Sequence, residues 1–139
     1  MESMVKFAKA TAAVVISAFW GLHVMIQLLV YAILFDILTG LVAAWQTKSL
    51  NSAVSRTGIG KKAMVIICVC GAEIAGRHLG VQVPSPWGGT PLTMGAAVAT
   101  YYCIHEALSI TENIAKAGVS LPKWITSILE KLKDQGVRQ

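Results

Sequence analysis

The sequence predicts an all-α integral membrane protein, about four transmembrane helices followed by a short C-terminal amphipathic helix. Three observations carry that expectation. Hydrophobic residues make up 55% of the 139-residue chain and charged residues 14%, where soluble domains hold about 25% charged, and the mean hydropathy is +0.61. The stretch from Ala10 to Trp45 contains one formal charge, Asp36, over a length suited to two crossings of ~20 residues each. Two further apolar stretches follow, each with a carboxylate, Glu73 and Glu106. An acid near the middle of a crossing costs roughly 2.5–3.5 kcal/mol, so each of the three needs a role in assembly or function.

Taken in order, the first apolar block reads as a helical hairpin. One helix covers about 5–21, Gly21-Leu22-His23 forms a tight outer turn, and a second helix covers about 24–45. Trp20 and Trp45 then sit at the membrane interfaces. A single long tilted helix is the alternative. Lys6 and Lys9 precede the apolar run, but no small-residue cleavage site closes a short h-region. The first segment is therefore expected to be retained rather than removed as a signal peptide.

Residues 46–62 read as a polar loop holding Lys48, Arg56, Lys61 and Lys62 and no acid, with Asn51-Ser52, Gly58 and Gly60 as turn residues. The excess of basic residues marks it as cytoplasmic. The third segment covers about 63–80 and carries Glu73 and Arg77 at i, i+4, a spacing that permits an ion pair. Pro84, Pro86 and Pro91, with Gly88 and Gly89 between them, cannot continue a helix and predict an uncharged outer loop. The fourth segment covers about 92–110, with His105-Glu106 near its end, and passes into a polar turn closed by Gly118.

The last element is the amphipathic helix, with Ser120 as its cap, Pro122 in its first turn and Gly136 as its terminator. Trp124, Ile125, Ile128, Leu129 and Leu132 fall on one face, and Lys123, Glu130, Lys131, Lys133 and Asp134 mostly elsewhere. The chain thus divides into a membrane-spanning helical domain, 1–118, and a cytoplasmic helix and tail, 119–139.

Charge placement favours four crossings over three. With four, the N-terminus, the 46–62 loop and the tail share one side and hold every Lys and Arg except Arg77. Three crossings would leave Lys6 and Lys9 outside. The expected topology is multi-pass with both termini cytoplasmic. A net charge of +5 arranged in this way suits the anionic face of a lipid bilayer and argues against nucleic acid as a partner.

No Gly-rich phosphate loop, zinc-ligand spacing or nucleophile elbow is present, so no catalytic, metal or cofactor site is expected. Cys68, Cys70 and Cys103 read as small apolar packing residues, and His23, His78 and His105 as interface residues. The acids are the sharper feature. Asp36, Gly40 and Ala44 share one helix face, with Thr39 beside them; Gly71/Ala75 and Gly76/Gly80 surround Glu73 and Arg77, and Gly95/Ala99 lie on the helix of Glu106. Small residues let helix backbones approach, and polar groups then bond across the seam. A pore or oligomer seam of Asp36, Thr39, Gly40, Ala44, Glu73, Arg77 and Glu106 fits this pattern. So does a compact monomeric bundle with internal polar contacts. Tyr102, Glu106, Ser109 and Asn113 form a further stripe, read as a helix–helix seam in preference to a ligand groove.

Several of these residues recur in a known order. Asp36-Ile37-Leu38-Thr39-Gly40, Ala43-Ala44, Asn51-Ser52 and Gly58-Ile59-Gly60-Lys61-Lys62 are followed by Glu106-Ala107-Leu108-Ser109-Ile110-Thr111-Glu112-Asn113, Gly118 and Leu121-Pro122. Over roughly 30–132 the chain resembles the phage-lysis and toxin-secretion holins of Firmicutes and their phages. Asn51, Ser52, Gly58, Gly60, Lys61, Lys62, Ser109, Glu112 and Asn113 are its motif positions in the loop and tail. The resemblance implies a protein of the bacterial cytoplasmic membrane that forms homo-oligomers and opens timed lesions. Those lesions depolarise the cell and release an endolysin or a large toxin as a passenger, without catalysis or cofactor. Under it, Asp36 and Glu73 face the oligomer seam or the lumen.

Met1 and Met4 offer two starts, as holins with an inhibitor form can use. Here the longer form gains an acid rather than the usual basic charge, and chance is the preferred explanation. Two rival readings stand beside the holin. One is a four-helix exporter of small cations using Asp36 or Glu73; the other is a non-conducting adaptor or antiholin docking through 120–135.

Overall fold

The computed structural model describes residues 1–49 and 52–134. Its elements in chain order are α1 (Glu2–Trp20), α2 (Val24–Gln46), α3 (Ser52–Leu79), β1 (Gln82–Val83), β2 (Leu92–Thr93), α4 (Met94–Lys116) and α5 (Lys123–Asp134). The chain is mostly helical, with one two-residue ribbon that the sequence does not announce.

The first apolar block is broken by a short turn at Gly21–His23 into two helices, so it is not one long helix. His23 Nδ1 accepts the Met25 N–H at 3.2 Å and so caps α2. Gln27 Nε2 donates to the Leu22 carbonyl at 2.9 Å, tying the turn to the second helix. His23 is therefore a capping residue as well. Beyond the turn α1 is almost bare; Phe19 alone is partly covered, with its ring edge-on to Tyr31 at 5.9 Å. By length and composition, α1 and α2 are the two helices among the described residues that are long and apolar enough to cross a membrane. The four-crossing count therefore depends on α3 and α4.

The polar loop expected over 46–62 is corrected from residue 52 onward, where the chain is helical. The third helix already begins at Ser52 and takes in Gly58, Gly60, Lys61 and Lys62; Asn51 lies outside the described residues. At the end of α2, the Ser49 N–H reaches back to the Ala44 carbonyl at 2.9 Å over Lys48, whose φ is 52°. This is a helix stop of the kind that usually employs glycine. The end of α3 uses the same device, with the Val81 N–H on the Gly76 carbonyl at 3.0 Å and Gly80 at φ +66°. Gly80 is thus a terminator rather than the second member of a small-residue seam.

The proline–glycine segment does interrupt the helices. It is closed by an antiparallel ribbon pairing Gln82 with Thr93 and Val83 with Leu92. The fourth helix starts late, at Met94, and continues to Lys116. It absorbs Thr111–Asn113, which were expected in a turn. Pro122, not Ser120, stands at the head of α5, where its carbonyl accepts the Ile125 N–H at 2.9 Å; Gly136 lies outside the described residues.

The packed unit is a three-helix arrangement with α4 between α2 and α3. Cys103 lies against the Met25 carbonyl and Asn113 against Asp36, so α2 and α4 run parallel. Lys62 meets Glu106 and Gly76 meets Met94, so α3 runs antiparallel to both. The core between them is Ile26, Leu29, Ile33, Val69 and Ala99. Ala96 and Ala99 are fully buried, and their small size lets the helices approach.

Candidate functional site

All three intramembrane-type acids are buried: Asp36 is 6% exposed, Glu73 6% and Glu106 7%. They form two centres along the α3–α4 seam.

At the first centre, α3 extends Lys62 between the other two helices. Its Nζ lies 2.8 Å from Asp36 Oδ2 and also forms an ion pair with Glu106 Oε2. One cation thus serves two carboxylates from different helices. Asn113 Nδ2 donates to Asp36 Oδ1 at 3.0 Å. The Thr39 hydroxyl donates to its own helix at the Phe35 carbonyl, 2.9 Å away, and its oxygen is 3.5 Å from Asn113 Nδ2. Gly40 completes the wall, since a Cβ there would lie 3.4 Å from Asn113 Nδ2. The structure therefore joins Asp36, Thr39, Gly40, Glu106 and Asn113, and adds Lys62. The sequence offered a signal for that lysine. Neither Asp36 nor Glu106 has a Lys or Arg three or four residues away, so each needs a cation from another helix.

At the second centre, the i, i+4 pair is formed, with Arg77 Nε 2.9 Å from Glu73 Oε1. The arginine side chain remains 62% exposed. The other carboxylate oxygen faces the first turn of α4, where a helix N-terminus favours negative charge. Two glycines make this approach possible. A Cβ on Gly95 would fall 2.6 Å from both Cβ and Oε2 of Glu73, and one on Gly76 would fall 2.6 Å from Met94 Cβ. Along α3 the two centres are separated by the rise from Lys62 to Glu73, about 16 Å. The apolar core fills that interval.

The remaining positions are distributed. Ala44 is half-buried and Ala43 is the covered neighbour. Ser109 and Glu112 are half-buried on α4, while Gly58, Gly60 and Lys61 are exposed on α3, which Ser52 opens. Gly71 has open space around it. Cys68 and Cys70 are exposed and Cys103 is half-buried, so the first two do not pack inside the chain as the sequence suggested. His105 lies against Tyr101 in a tilted ring contact with centroids 4.6 Å apart. No cluster of His, Cys, Asp and Glu among the described residues could hold a metal ion.

The outward faces complete the picture. Leu34, Phe35 and Leu38 on α2, Met64, Ile67 and Ile74 on α3, and Ile104 on α4 are all exposed. The three acids and Lys62 lie inside, and much of the hydrocarbon lies outside. In water the hydrophobic effect would oppose that arrangement, whereas in lipid the apolar faces are satisfied and the paired charges are sheltered.

Comparison with known proteins is consistent with this geometry. The bacteriophage holin family matches residues 13–134. An uncharacterised protein of Halalkalibacterium halodurans is 28% identical over 96% of both chains. The uncharacterised Bacillus subtilis protein YqxH is 32% identical over 84% of this chain and 76% of its own length. A protein of Bacillus phage phi105 named "probable holin" is 30% identical over 73% of this chain and 71% of its own. No solved structure matches the chain.

Proposed function

The chain belongs to the bacteriophage holin family, and from that premise we propose that it assembles in the bacterial cytoplasmic membrane and opens timed lesions. The lesions let a cell-wall hydrolase or a large toxin leave and collapse the membrane potential. The observation that carries this reading is the placement of charge within a helical unit whose outer surface is apolar. A lone chain hides Asp36 and Glu106 behind Lys62, and Glu73 behind Arg77. It can therefore diffuse in lipid without a large penalty for those acids. When chains associate, separation of α2 or α3 from α4 exposes the same groups to water, and they line a lumen. On this reading the acids belong to an internal seam first and to the lumen afterwards.

The topology proposed with it is four crossings with both termini cytoplasmic. The apolar outer faces of α3 and α4 support it: Lys62, Glu73 and Glu106 are turned inward, and the exposed Lys61 and Arg77 bracket the apolar stretch of α3. No step of the proposal needs a catalytic residue or a cofactor. The passenger passes through the lesion without a binding site of its own.

Reconstitution tests the proposal. The full chain is placed in vesicles loaded with dextrans of graded size, and release is followed as protein density rises. Release of protein-sized dextran above a threshold density is the expected result. Saturable passage of small cations alone would identify an exporter, and tight vesicles with confirmed insertion would identify a non-conducting adaptor.

A further inference from the structure

From its geometry, we infer that α5 lies in the plane of the membrane on anionic lipid headgroups, anchored by Trp124. The inference rests on the membrane reading of the preceding helices. Trp124 is 65% exposed and Ile128 46%, and among the described residues no helix of the three-helix unit packs substantially on α5. Because α2 and α4 run parallel, the turn after α2 and the start of α5 lie at the same end of the unit. Lys48 and Lys116 are exposed there. Between Lys116 and Lys123 only six residues intervene, with Gly118 at φ +80° redirecting the chain. The helix therefore emerges close to the surface through which α4 passes.

Charge arrangement selects the occupant of the exposed face. At 3.6 residues per turn, Trp124, Ile125 and Ile128 share an arc that positions 129 and 132 continue. Position 131 borders this arc on one side and position 133 on the other, and both are lysines. Glu130 and Asp134 fall on the opposite side of the helix. A lysine at such a border lays its stem along apolar surface and carries its ammonium to the phosphate level, while acids on the far side stand away from anionic headgroups. An interfacial helix has this division of apolar, basic and acidic positions. Indole is also the side chain favoured at the boundary between hydrocarbon and water.

The test uses the full chain with one tryptophan retained. In one variant W20F, W45F and W87F leave Trp124; in the companion, W20F, W87F and W124F leave Trp45 at the end of α2. Both are reconstituted in vesicles containing bromine-labelled acyl chains, made from phosphatidylcholine with phosphatidylglycerol or from phosphatidylcholine alone. Trp45 is expected to be quenched in both lipids, and Trp124 strongly only where phosphatidylglycerol is present. Each interfacial lysine near an anionic surface is worth about fivefold in binding. K131Q with K133Q should therefore lower the ratio of bound to released helix by about 25-fold on the same principle. Quenched Trp45 with unquenched Trp124 in the anionic vesicles would overturn the inference alone. Equal quenching of Trp124 in both lipids would remove its charge basis. A shift that follows protein density instead of lipid composition would assign the face to a second copy. An unquenched Trp45 would overturn the membrane reading and the inference with it.

Discussion

Replacing Lys62 by methionine removes the cation that Asp36 and Glu106 share while keeping most of the side-chain volume. In the structure Nζ is 2.8 Å from Asp36 Oδ2 and also paired with Glu106, and each acid is 9% exposed at its side chain. At that distance, with an effective dielectric of ~20, one such pair is worth about 6 kcal/mol of gross attraction. Most of it offsets the cost of taking the charges out of water. Breaking a buried pair by removing one partner typically costs 3–5 kcal/mol, because the remaining charge is left without compensation. Here two carboxylates are left together, so K62M should lower stability by about 3–5 kcal/mol. The assay is unfolding of the full chain in mixed micelles titrated with sodium dodecyl sulfate, followed by circular dichroism. The triple variant D36N/K62M/E106Q removes all three charges together and should recover most of the loss, since a neutral replacement of a buried ion cluster is often tolerated. A K62M chain within about 1 kcal/mol of wild type, well below the usual cost of an orphaned buried charge, would refute the account of the seam.

Other consequences are equally direct. Gly95→Ala drives a Cβ to within 2.6 Å of Glu73 and should cost about 1–3 kcal/mol by overpacking, while Gly71→Ala, with open space around it, should be neutral or slightly stabilising in the same titration. Lys48→Gly relieves a positive φ of 52° and should raise stability by about 1 kcal/mol; a loss of stability would mean the α2 stop is held differently. Asp36→Leu leaves Lys62 paired with Glu106 but removes the carboxylate that accepts from Asn113. It should shift the onset of lysis or abolish it, and unchanged timing and lesion size would remove Asp36 from the mechanism.

Much of the local structure was legible because its causes are local. The apolar block from Ala10 to Trp45 exceeds one crossing and must turn, and the Glu73–Arg77 pair follows from one helical turn of spacing. The prolines of residues 84–91 forbid a helix whatever surrounds them. Residues 52–62 were misread for the opposite reason. Ser52, Gly58 and Gly60 are weak helix formers, and their local preference for a turn is overridden by a tertiary demand. Two distant acids need the ammonium of Lys62, and a continuous α3 delivers it between α2 and α4. The candidate site was similarly half visible. The acids and small residues could be assigned to seams by spacing, but spacing does not say whether a seam closes within one chain. Here the described structure closes it internally, through Lys62 and through the fit of Glu73 against Gly95.

The most direct measurement is induced expression in a bacterium that also holds a cytoplasmic, signal-less cell-wall hydrolase. Culture density and membrane potential are followed together through time. The account predicts a delay, then abrupt depolarisation and clearing of the culture. Sustained growth with an intact potential, despite confirmed insertion of the protein in the membrane, would contradict it.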